Sequence, residues 1–363
     1  MNRKLLITLT VISLSFTAFL SGYLISQKDF HRIPSSNSSG NILDKFSEIG
    51  SNPNFQNNPS GVVTLLSRRS AISPVLSKEK DSVIFYEKGT GKVFEVALKN
   101  PTEKVISDVP LPNLTKTIWA PSRKEVVSLF YSPQGTHYKY YNSITKTSVD
   151  LGTNIKSLSF SPGGDQIVYF GVGNDYNRIF ISQPDGTISK KILNSRIESP
   201  DVYWPTEDNL AFKTNTPGGP MGEVLFGLGT NGDLTDLLEL RQGLQVKWSG
   251  DGKKILFSSS ESGVLNLSYK DYAGTESRPE VSLGVSTSAS KCVWSIDDKS
   301  VICGVPRSSA PGDEIYEIGL DGTKKLLSSP TSRIDTTELF LSGLDDYVVI
   351  LNGLDNKLYV LKK

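Results

Sequence analysis

All four tryptophans of this chain, Trp119, Trp204, Trp248 and Trp294, fall at one position of a unit that recurs along the sequence. With Leu76, Phe160 and Leu341 at the same position, seven anchors stand 41 to 47 residues apart, each followed six or seven residues later by a short apolar run. A repeat of about 40 to 45 residues made of short strands predicts a β-propeller with one blade per copy.

Each copy reads as a hairpin followed by further strands. In the fifth, Val246-Lys247-Trp248 leads through Ser249-Gly250-Asp251-Gly252-Lys253 into Ile255-Leu256-Phe257, an apolar run, a polar turn and a second apolar run. A third strand follows in every copy, such as Val224-Leu225-Phe226 or Leu358-Tyr359-Val360. Fourth strands are visible in only six copies, because the seventh reaches Lys363 after three strands. Upstream of the first anchor, Val62-Val63-Thr64-Leu65-Leu66 resembles the missing strand. Pairing it with the last copy would close a ring that otherwise exposes unpaired backbone groups. The fold expected is therefore all-β, a seven-bladed propeller over residues 62–363, with six or eight blades as the alternatives. Large aromatics at a fixed repeat position are expected to fill the wedge between blades, not to form a ligand platform.

The turns Ser161-Pro162-Gly163-Gly164-Asp165 and Ser249-Gly250-Asp251-Gly252-Lys253 sit between an aromatic and an Ile-containing strand. In this they resemble the repeat of TolB-type, WD-like propellers, whose motif is approximately Trp-Ser-Pro-Asp-Gly-Lys. The copies at Trp204-Pro205-Thr206-Glu207 and Trp294-Ser295-Ile296-Asp297 depart from it. The resemblance implies a structural motif and transfers no catalytic residue; envelope proteins, domains fused to peptidases and binding modules all share it.

Residues 1–4 carry Arg3 and Lys4, and residues 5–26 contain no charge. Such a stretch is long enough to cross a hydrocarbon core of about 30 Å. The charges ahead of it place the N-terminus in the cytoplasm and the remainder outside. It is read as a retained signal anchor, because Leu20 or Phe19 would occupy the minus-three position of any cleavage after Gly22 or Ser21. Residues 27–61, rich in Ser, Asn, Pro and Gly, read as a flexible tether, with a short helix over 42–49 as an interruption. The expected location is membrane-anchored with the propeller extracytoplasmic, in a periplasm or at a cell surface.

With 39 basic and 38 acidic residues the chain lacks the basic excess of a nucleic-acid footprint. Only two histidines exist, His31 and His137, so Ser-His-Asp, Cys-His and His-rich zinc constellations lack parts. No catalytic residue, cofactor or metal is expected. Cys292 and Cys303 fall opposite one another across a hairpin, where an oxidising compartment permits a disulfide; two buried free thiols are the alternative.

One pattern suggests a ligand site. Three residues before each anchor stand Ser73, Lys116, Ser157, Asp201, Gln245, Lys291 and Glu338, all polar. In a propeller the first strand of each blade is innermost, so this set should ring one mouth of the central channel. The bland alternative is that strand entries are polar because water fills the channel. Two long connections reach the same mouth, residues 214–222 with Met221 and residues 304–313 with Arg307. The function expected is a non-catalytic binding or scaffold module for an envelope protein, peptide or glycan. The alternative is a carbohydrate-active enzyme using two channel carboxylates such as Asp201 and Glu338.

Overall fold

The computed structural model describes residues 61–363 except 134, 199, 215–221 and 274–275, within a compact unit bounded as Asn57–Lys363. Expectations for residues 1–60, including the membrane anchor, the tether and its helix, and for Met221, lie outside the described residues. No helix among the described residues is long and apolar enough to cross a membrane.

The described chain is all-β apart from one 3-10 turn, Ala289–Lys291. Every pairing is antiparallel and joins strands close in sequence, except that Val63–Leu76 also pairs with Lys357–Lys362. There Val63 lies opposite Leu361 and Leu65 opposite Tyr359. Among the described residues the strands form five sheets that divide into seven groups of four, with the short Glu276–Ser277 added to the fifth. Two long strands belong to two groups each: Val63–Leu76 is outermost in the last group and innermost in the first, and Leu234–Trp248 does the same for the fourth and fifth. At each crossing an arginine holds the bend. Arg69 pairs with Glu87 and with Glu103 at 3.0 Å and lies 4.0 Å over the Phe94 ring; Arg241 pairs with Glu280 at 2.6 Å and lies 5.2 Å over Phe257.

The recurrent tryptophans pack between a group and its predecessor. Trp204 joins Val168 and Phe170 of the third group, Trp294 joins Leu256 and Leu267 of the fifth, Trp119 meets Tyr86 and Val93, and Trp248 meets Ala211 and Leu225. Each therefore buries its ring against the neighbouring sheet, the largest apolar area one side chain can contribute to such a seam.

The turn after each anchor shows why a serine stands there. Ser77, Ser161, Ser249, Ser295 and Ser342 each accept from the backbone N–H five residues on, and each donates to an aspartate of its own turn, as from Ser161 to Asp165 at 2.9 Å. Three residues after the serine position the backbone is left-handed, at Lys80, Arg123, Gly164, Gly252, Asp298 and Asp345. Only two of these six are glycine, so the others carry strain that a Cβ imposes there. Asp298 uses the position to reach the preceding group, accepting from the N–H of Gly250 at 2.9 Å and of Asp251 at 3.1 Å.

Candidate functional site

First strands of neighbouring groups pack side by side, as Leu114–Trp119 does on Val63–Leu76 and Asp201–Thr206 on Ile155–Phe160. Strand direction alternates within a group, so the beginning of each first strand and the connection between second and third strands lie at one end. The seven polar residues ahead of the anchors all sit at this entrance end.

Four of the seven are tied to protein. Ser73 Oγ accepts from Thr117 N–H at 2.9 Å, and Ser157 Oγ donates to the Pro200 carbonyl at 2.6 Å. Asp201 pairs at 3.3 Å with Lys213, a buried lysine whose Nζ also donates to the Leu244 carbonyl at 3.0 Å. Lys291 pairs with the buried Asp313 at 3.1 Å and with Asp335 at 2.8 Å. Burial works against the Lys291 charge, but the hydrogen bonds and charges of the two aspartates outweigh it and hold its pKa above the ordinary value. Of these contacts, Ser73–Thr117, Ser157–Pro200, Lys213–Leu244 and Lys291–Asp335 cross from one group to the next, whereas Asp201–Lys213 and Lys291–Asp313 stay within one.

The same kind of bridge occurs at the other seams. Tyr138 donates to the Lys156 carbonyl at 3.0 Å, Lys247 to the Cys292 carbonyl at 2.6 Å, and Ser70 to the Asp355 carbonyl at 3.0 Å. Strand-entry polarity thus has a use besides ligand binding and channel water: Ser73 and Ser157 satisfy backbone groups left over where two sheets meet, and Asp201 and Lys291 pair with charges of the protein itself.

Lys116, Gln245 and Glu338 remain. None has a side-chain hydrogen bond or ion pair among the described residues, and they come from the second, fifth and seventh groups. Burial raises the Glu338 carboxyl above its ordinary value, while the charges of Lys247 and Lys116 pull it down, so the two lysines lie within electrostatic reach of it. Lys247 responds in kind: burial lowers its pKa and the Glu338 charge opposes the shift. Lys247, one residue before its anchor, escaped the sequence pattern because that position holds Val75, Ile118, Ser159, Tyr203, Val293 and Phe340 elsewhere, with no common polarity.

Arg307 donates to the Pro330 carbonyl, and its backbone N–H to the Gly312 carbonyl at 3.0 Å, so it braces the loop it stands on. Cys292 and Cys303 are register partners, fully buried and joined in a disulfide. Among the described residues no group of three or more His, Cys, Asp or Glu could hold a metal ion. Three surface grooves of about 620, 840 and 440 Å³ lie along seams between groups, and none is lined by any of the seven entrance residues except by way of their neighbours.

No protein-family model and no curated protein matches the sequence. Solved structures match the fold. An oligogalacturonate lyase from Vibrio parahaemolyticus superposes with a TM-score of 0.61 at 10% identity, covering 83% of this chain and 93% of that one. The β-propeller domain of the Trilobed protease from Pyrococcus furiosus gives 0.54 at 14% identity over 81% and 94% of the two chains. A β-propeller domain from Myceliophteria thermophila gives 0.58 at 8% identity over 84% and 100%. These likenesses show the fold, a β-propeller, and no subfamily within it.

Proposed function

We propose that the protein is a membrane-tethered, extracytoplasmic, seven-bladed propeller, closed by its N-terminal strand, that binds an envelope protein, peptide or glycan at the channel entrance without catalysis. The observation that carries this reading is the contrast at the entrance. Four polar residues are tied to protein groups, whereas Lys116, Gln245 and Glu338, also at the entrance ends of first strands, have no side-chain hydrogen bond or ion pair among the described residues. Unpartnered polar groups of both signs on a fixed scaffold suit a partner bearing complementary charges. The Cys292–Cys303 bond fits an oxidising compartment and so supports the extracytoplasmic placement.

The test is crosslinking in the native membrane followed by mass spectrometry, comparing wild type with the combined Lys116→Ala, Gln245→Ala and Glu338→Ala variant. Partner capture should be lost while the melting temperature holds; capture at wild-type levels would reject the entrance as the site. Asp201 and Lys291 are excluded from this variant because their replacement would strand Lys213 and Asp313.

The second reading, a carbohydrate-active enzyme, draws on one observation: burial raises the Glu338 carboxyl, the direction a general acid needs. The fold also serves an oligogalacturonate lyase. Turnover of a cell-wall glycan, abolished by both Glu338→Gln and Asp201→Asn, would favour it over the binding module.

A further inference from the structure

The groove of about 440 Å³ between the second and third groups differs in chemistry from the other seams. Its wall in the third group presents Tyr169 and Phe180, register partners whose rings stack at 5.1 Å and are half-exposed. The next pair along the same face is Gly171 opposite Arg178. At the position of Gly171 the other copies carry Glu87, Phe130, Thr214, Ser259, Val305 and Asn352. Glycine alone leaves the space beside the two rings open, and its backbone does not require it: a Cβ there would meet Phe180 at 3.4 Å, an ordinary contact.

Arg178 lines this space, half-buried, with no ion pair or side-chain hydrogen bond among the described residues. The second group contributes Asp150 to the same groove, the connection to the third group contributes Asn154, and the turn after Ser182 contributes Asp185. Each carboxylate has one oxygen fixed locally, Asp150 by Gly152 N–H at 2.7 Å and Asp185 by Thr187 N–H at 2.9 Å, which leaves the second oxygen of each with acceptor capacity.

We propose that this groove binds a carboxylate-bearing sugar, a uronate residue of a glycan. The apolar face of the pyranose ring would lie on Tyr169 and Phe180, the carboxylate would pair with the fork of Arg178, and hydroxyls would donate to Asp150, Asp185 and Asn154. The volume stands at the lower end of ligand sites and suits one or two sugar residues. An acidic peptide fits less well, because Asp150 and Asp185 line the same groove as the single arginine and would repel further acids, whereas hydroxyl groups need such acceptors. None of the seven entrance residues lines this groove, and the proposal does not depend on the reading given above.

The test is calorimetric titration of the full-length protein in detergent micelles with glucuronate, galacturonate and mannuronate trisaccharides, and with maltotriose as the neutral probe. At least one uronate should bind, maltotriose at least about tenfold more weakly, a difference of about 1.4 kcal/mol. Arg178→Gln and Gly171→Val should each weaken uronate binding at least about tenfold, the first by removing the cation and the second by filling the space. Lys116→Ala should leave it unchanged, which separates this site from the entrance. Circular dichroism checks that Gly171→Val folds; if it does not, Arg178→Gln decides. No uronate binding up to about 1 mM, wild-type binding by Arg178→Gln, or Arg178-dependent binding of an Asp- and Phe-containing peptide in place of the sugars would overturn the proposal.

Discussion

Asp298 offers a way to measure how strongly neighbouring blades hold together. It is buried, its φ is 54°, and its two carboxylate oxygens accept from Gly250 and Asp251 in the preceding blade. Hydrogen bonds to a charged group contribute about 1.5–3 kcal/mol each. Gly250 and Asp251 are exposed, so water can replace part of what is lost, which selects the low end and gives about 3 kcal/mol for Asp298→Ala. Asp298→Asn keeps one acceptor and should lose about half of that. Asp298→Gly loses both acceptors but releases the left-handed backbone, so it should be milder than alanine by about 1 kcal/mol. Urea unfolding in micelles, followed by tryptophan fluorescence, reads all three, since the tryptophans lie in the seams. An alanine variant within about 0.5 kcal/mol of wild type, or a glycine variant worse than alanine, would refute the reasoning.

The same backbone position predicts the opposite sign where the side chain makes no bond: Lys80→Gly, at φ 56°, should stabilise the protein by about 0.5–1 kcal/mol in the same assay. Burial raises the Glu338 carboxyl above its ordinary 4.5, so the folded protein holds this proton more tightly than the unfolded chain. Its contribution is complete below about 4.5 and fades as pH rises through the elevated value. Glu338→Gln should therefore gain on wild type as pH goes from 4 to 8; unfolding curves that stay parallel would contradict it. Replacing Cys292 and Cys303 together by serine opens a short loop and should cost about 3 kcal/mol, and free-thiol mass spectrometry of the wild type should find none.

The legible part of the fold is local. An apolar run, a serine turn and a second apolar run fix a hairpin within some fifteen residues, and the tryptophans repeat because every seam needs the same wedge filled. What the sequence hides is what happens between copies. Lys291 reads as a free cation until Asp313 and Asp335, 22 and 44 residues later, are brought beside it. Asp201 reads as a free acid until Lys213 folds back across the hairpin. The long strand Leu234–Trp248 shows the same limit, since Val246-Lys247-Trp248 reads as the start of a hairpin, whereas it ends a strand that begins at Leu234 and bends at the seam without leaving the sheet. The groove at Gly171 was legible in principle, as one copy lacking a side chain that six others carry, but the vacancy gains meaning only when Tyr169, Phe180 and Arg178 are seen around it.

Amide hydrogen exchange across the chain's two ends tests the architecture most directly. If residues 63–66 pair with Lys357–Lys362 as the outer strand of the last blade, their amides should be protected for as long as those of the C-terminal strand and should open together with them. Exchange of residues 63–66 within seconds, while Lys357–Lys362 stays protected, would contradict a ring closed by its own beginning.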